Sequence, residues 1–169
     1  MNSLAALLPI TEGAEKSAKR LIERLPAGRM SPFARIESTH FARLVVISDL
    51  IDRRDKRIPW QPARLFFSAE FDIPTAGWLE ALCTLLPQEA DEIFGACAGY
   101  PGSDRPPAVK AWMVAHAVRP GFSVRGNPDA TAGEVVKALA LREQLMAFAV
   151  DTRRLAPQAL QRRFDGTFR

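Results

Sequence analysis

Between Arg64 and Phe71 the residues alternate in character, and no other stretch of the chain restricts the fold as tightly. Leu65, Phe67, Ala69 and Phe71 fall on one side of an extended chain, Arg64, Phe66, Ser68 and Glu70 on the other. Period-two alternation of this kind marks a strand with one face in a core. A second segment, Thr39 to Ser48 (T-H-F-A-R-L-V-V-I-S), is short, β-branched and aromatic and reads as another strand. The two are expected to pair as an antiparallel hairpin. Asp49 to Pro62, with its charged run Asp52-Arg-Arg-Asp-Lys-Arg57, is read as an exposed loop that Trp60 anchors to the core.

Helical spacing surrounds this hairpin. Ala14, Ala18, Leu21, Ile22 and Leu25 form one stripe after Thr11, and Pro26 and Gly28 stop it. Trp78, Leu79, Leu82 and Leu86 form another, with Asp72 or Thr75 as its cap and Pro87 as its break. Ile93 to Tyr100 is read as a strand and 99–107 as a loop. A helix follows over 108–118, with Val109, Trp112, Met113 and His116 at i, i+3, i+4 and i+7. Phe122 to Arg125 reads as a short strand, and the longest helix runs from Thr131 to Val150. The order predicts an α+β fold, an open antiparallel sheet with helices on one face. The expected organisation is an N-terminal helical arm (1–30), an α+β domain (31–150) and a basic C-terminal tail (151–169). A sheet covered on one side has a second face to fill, and a second copy of the chain is the expected cover, making a homodimer.

The chain has 169 residues, 47% of them hydrophobic and 25% charged, which are values of a globular protein rather than a disordered one. The longest early apolar run, Leu4 to Ile10, is far short of the roughly 20 residues a membrane span needs. No basic stretch precedes it, so neither a secretory signal nor a membrane partner is expected. The net charge of +4 is unevenly spread. Residues 151–169 hold five arginines against two aspartates, a net of +3. Arg153, Arg154, Arg162 and Arg163 are therefore the candidate contacts for nucleic acid or an acidic partner. Cys83 and Cys97 have no zinc-ligand spacing with either histidine and read as buried thiols of a cytoplasmic protein.

Four segments taken together, T-H-F-A-R-L-V-V-I (39–47), L-F-F-S-A-E-F-D (65–72), A-C-A-G-Y-P-G (96–102) and D-A-T-A-G-E-V-V (129–136), resemble a group of uncharacterised bacterial proteins. That group has the look of the ferredoxin-like dimeric α/β-barrel superfamily. The resemblance implies a ferredoxin-like sheet and a dimeric barrel over residues 31 to 150. The superfamily also holds dye-decolourising peroxidases and chlorite dismutases, which bind haem through a histidine. The peroxidases' G-x-x-D-G signature has its nearest echo at 162–166, where Arg162 replaces the first glycine.

No nucleophile elbow, phosphate loop or metalloprotease motif is present, so the candidates are single residues. His116 lies on an apolar helical stripe, where it is either a haem ligand or a donor to a backbone carbonyl at the helix end. His40 opens the first strand, placed for small-molecule contact, acid–base work or a subunit contact. Arg43 and Glu70 interrupt apolar strands and are expected opposite each other, either as a structural pair or as a polar ligand pocket. Arg142 falls about 40° from Ala138 on the wheel of the last helix, inside its apolar arc. It is expected to snorkel to water, to pair with Glu70 or Asp72, or to bind an anion. Three functions stand on these residues. The first is a metal-free, dimeric small-molecule-binding or interaction module. The second is a haem- or oxidant-handling enzyme using His116 or His40, and the third a nucleic-acid-associated protein.

Overall fold

The computed structural model describes residues 2–119 and 129–168. Phe122 to Arg125, read above as a strand, lie outside the described residues. The chain divides into two compact units, Met1–Ala132 and Gly133–Arg169.

The first unit holds a three-stranded antiparallel sheet in the order β1-β3-β2, built from β1 (Asn2–Pro9), β2 (Thr39–Ile51) and β3 (Arg57–Phe71). Helix α1 (Glu15–Arg24) connects β1 to β2, and α2 (Thr75–Leu85), α3 (Pro87–Phe94) and α4 (Pro106–Ala115) follow β3. The alternation of β3 sets the core. Leu65, Phe67, Ala69 and Phe71 are buried together with Leu4, Ala6 and Leu8 of β1. Against them pack Ala18 of α1, Trp78, Leu79 and Leu82 of α2, Ile93 and Phe94 of α3, and Met113 of α4. All four helices therefore cover the same face. Phe71 stacks on Trp78 with ring centroids 4.9 Å apart, and the Phe67 ring meets the edge of Phe94 at 5.4 Å.

The opposite face is mixed. Leu7, Phe66 and Val45 make one cross-strand row, and Ala5, Ser68 and Arg43 the next. Phe41 and Val45 are each 42% exposed there. The register corrects one expectation: Arg43 stands opposite Ser68, and Glu70 opposite Phe41. The register shifts by one residue between Thr39 and Phe41. Arg43 instead places its guanidinium over the Phe41 ring, 5.0 Å from the centroid.

Other elements differ from the sequence reading for identifiable reasons. Residues 2–9 form a core strand bonded to β3, so the first thirty residues supply a strand and a helix of this unit rather than an arm. Their alternation of Leu4, Ala6, Leu8 and Ile10 with half-buried Ala5, Leu7 and Pro9 is hidden because both sets are apolar. The charged run 52–57 is a tight turn rather than a long loop. Asp52 Oδ1 accepts the backbone N–H groups of Arg54 and Lys56, and Asp55 takes the left-handed conformation at φ 57°. The strands thus continue as a ribbon to Ile51 and from Arg57. Trp60 lies in β3, with the Arg64 guanidinium over its ring. Pro87 follows the end of α2 at Leu85, as expected, and also begins α3, since a first-turn proline forfeits no helical hydrogen bond. Residues 93–94 finish α3, and beyond them only Cys97 makes a single bridge, to Ile10. On the outer edge of β1, Leu7 N–H donates to His116 O and Val118 N–H to Ala5 O, bringing 116–118 alongside it.

The second unit holds α6 (Pro157–Phe168) and all but the first residue of α5 (Ala132–Thr152). Phe164 and Phe168 pack on Phe148, at 5.8 and 5.3 Å between centroids. The segment read as a tail is thus largely helical. Leu139, Leu141, Leu145 and Met146, which belong to the apolar arc of α5, are exposed.

Candidate functional site

The hairpin brings the first residues of β2 beside the last of β3, because antiparallel pairing sets Thr39 opposite Phe71. His40 and Asp72, thirty-two residues apart, meet there. His40 Nε2 lies 2.6 Å from Asp72 Oδ1, and their side chains are only 13% and 21% exposed. Asp72 Oδ2 accepts the Ala132 backbone N–H at 2.8 Å. Burial pushes the Asp72 carboxyl upward, but the hydrogen bonds from the Ala132 N–H and from His40 outweigh it, and the net shift is downward. Asp72 is therefore ionised near neutral pH and offers oxygens that only accept. It does not cap α2, whose N-terminus has no side-chain cap.

His40 forms one wall of a groove of about 420 Å³ between α1, the turns at 28–35 and the edge strand β2. That volume lies within the range of small-molecule sites. The remaining walls are mostly apolar: Ile22 and Leu25 of α1, Phe33, and Ala42 and Leu44 of β2. Thr39, beside His40, accepts a hydrogen bond from Trp78 Nε1 at 2.9 Å, which ties this end of β2 to the core. Ser38 Oγ, next in the chain, is the one buried side-chain polar atom without a partner among the described residues. Its backbone carbonyl accepts the Asp72 N–H at 3.0 Å.

His116 is differently employed. Its Nδ1 lies 2.8 Å from the Trp112 carbonyl at the end of α4, and its ring packs on the Trp112 indole. It sits beyond the outer edge of β1, three strand spacings or about 14 Å from the line of β2. The two histidines are not brought into one site. Among the described residues no group of three or more His, Cys, Asp or Glu side chains could hold a metal ion.

The other candidates are dispersed. Arg43 and Glu70 lie on the open face of the sheet without an ion pair among the described residues. Arg142 is exposed on α5 and makes no ion pair among the described residues, and Asp72, one partner foreseen for it, is engaged by His40 and Ala132. Arg153, Arg154, Arg162 and Arg163 are all exposed in the second unit, two after the end of α5 and two on α6. A second polar cluster went unread in the sequence. Asp91 accepts Tyr100 OH, Ser103 N–H and Ser103 Oγ–H, at 2.8–2.9 Å, and so pins the loop after α3.

Asp72 was legible as a helix cap or as a partner for Arg142, not as the partner of His40. The signal that pairs it with His40 is the hairpin itself: the residue that opens one strand lies beside the residue that follows its antiparallel partner. Comparison with known protein families, curated proteins and solved structures gives no match to this chain.

Proposed function

We propose that this chain is a small-molecule-binding module that works as a homodimer, with its ligand in the groove between α1 and β2. The observation that carries this reading is the His40 imidazole, hydrogen-bonded to Asp72 and set in the wall of a mostly apolar groove. Apolar walls with a few fixed polar groups are what holds and orients a small ligand. Asp72 fixes the imidazole, and Thr39 is fixed by Trp78, so little ordering is required on binding.

The test is a titration of the full chain with 4-propylphenol, followed through its backbone amide resonances. Shifts confined to residues 22–44 and around Asp72 are expected. Shifts scattered over the surface, or none, would contradict the reading.

Dimerisation through the open sheet face belongs to the same proposal. The strand and helix order, with 116–118 beside β1, supports a ferredoxin-like sheet of the kind that pairs back to back. The face has an apolar row, Leu7–Phe66–Val45, and charges of both signs in Arg43 and Glu70. A two-fold interface is self-complementary, so one surface must carry both halves of each contact. Sedimentation at micromolar concentration should give twice 18.7 kDa, and Val45→Asp should return it to the monomer. A monomeric parent chain would overturn this part.

A further inference from the structure

We infer that the ligand of the groove is a small apolar molecule carrying one hydroxyl donor, a phenol or an enol, and that this hydroxyl bonds to His40 Nδ1. The inference rests on the groove being a binding site. Both oxygens of Asp72 are engaged as acceptors, one by His40 and the other by the Ala132 N–H. A carboxylate so placed has no proton to give, so His40 Nε2 must be the donor in their 2.6 Å contact. In the neutral tautomer that this contact selects, Nε2 carries the ring's one proton and the lone pair is on Nδ1. Nδ1 makes no hydrogen bond among the described residues, and His40 lines the groove. On this inference the unengaged Nδ1 is the fixed acceptor that the mostly apolar groove offers its ligand.

A ligand that fills such a site must bring a donor, or it leaves the acceptor stripped of water. An ammonium would also donate, but no carboxylate lines the groove to balance its charge. A carboxylate ligand would need the imidazole doubly protonated. A flat apolar body with one hydroxyl meets both the walls of Leu25, Phe33 and Leu44 and the lone pair.

Three probes of nearly one shape decide it by calorimetry on the full chain at pH 7.5: 4-propylphenol, 4-propylanisole and 4-propylbenzoate. The phenol should bind about tenfold more tightly than the anisole, the worth of one well-met hydrogen bond. His40→Phe keeps an aromatic wall and removes the acceptor, so both should still bind and the phenol's advantage should fall to about onefold. Equal affinities in the parent chain, a preference that survives His40→Phe, or tightest binding of the benzoate would each overturn the ligand class while leaving the groove as a binding site. Failure of all three probes to bind and to shift the amides of residues 22–44 would overturn the groove and the ligand class together. The comparison within the parent chain decides the matter even where His40→Phe does not fold.

Discussion

The chain has two histidines, and the fold puts them to opposite use. His116 faces a backbone carbonyl through Nδ1, and a carbonyl only accepts, so the proton of the neutral ring sits on Nδ1. His40 faces a carboxylate through Nε2, so its proton sits there instead. The first closes the end of α4 and packs on Trp112, while the second lines a groove. The difference comes from what surrounds each ring. A helix end supplies carbonyls in need of donors. A hairpin end supplies a side chain from the other strand, thirty-two residues away.

The largest expected effect comes from removing the partner that distinguishes His40. Asp72→Ala leaves His40 Nε2–H and the Ala132 N–H without their acceptor, at a cost of about 2 kcal/mol, measured by urea unfolding. It should also abolish the phenol's preference over the anisole. The same carboxyl makes stability depend on acid. Its value is lowered in the fold, so its contribution is in place above about pH 4, the unfolded carboxylate range. That contribution is lost as the pH falls through the lower folded value. Asp91, also lowered despite burial by the bonds from Ser103 and Tyr100, acts in the same window. Asp72→Asn should therefore flatten, but not remove, the fall of stability in acid. An unchanged acid limb would contradict the assignment.

Next in size is Thr39→Val, which strips the Trp78 indole N–H of its acceptor at about 1 kcal/mol and leaves the histidine pair in place. A stability loss with the phenol preference intact is the expected result. Loss of that preference would mean that Thr39, not His40, meets the ligand.

His116→Ala sharpens the comparison from the other side. It removes one hydrogen bond at a helix end and a ring contact, at about 0.5–1 kcal/mol, and should leave phenol affinity unchanged. A fall in affinity would place the ligand on the far side of the sheet. Smallest is Arg142→Met. An exposed arginine without an ion pair among the described residues should change stability by less than about 0.5 kcal/mol and change no binding.

The parts of this fold that were legible are those in which apolar and polar residues alternate. Leu65, Phe67 and Phe71 announced the core face because the polar Arg64, Ser68 and Glu70 fall on the other side of the strand. β1 was silent because Ala5, Leu7 and Pro9, on its other face, are as apolar as Leu4, Ala6 and Leu8. The ribbon beyond Ile47 was hidden by charge: Asp52 closes the turn with its side chain, a local bond that composition does not reveal. His40 was visible as a strand-end residue, but its role depends on Asp72, and that pairing exists only once hairpin register is fixed. His116 was read correctly in one of its two senses, as the donor to a helix-end carbonyl.

The central claim is that Asp72 orients His40 as the acceptor of a ligand groove. It is tested most directly by a long-range nitrogen–proton spectrum of the ring-labelled histidines, recorded at pH 7.5 with and without 4-propylphenol. The account predicts His40 protonated on Nε2 and His116 on Nδ1, with only the Nδ1 resonance of His40 moving substantially as the phenol is added. A His40 ring protonated on Nδ1, or a phenol that moves only the His116 resonances, would contradict it.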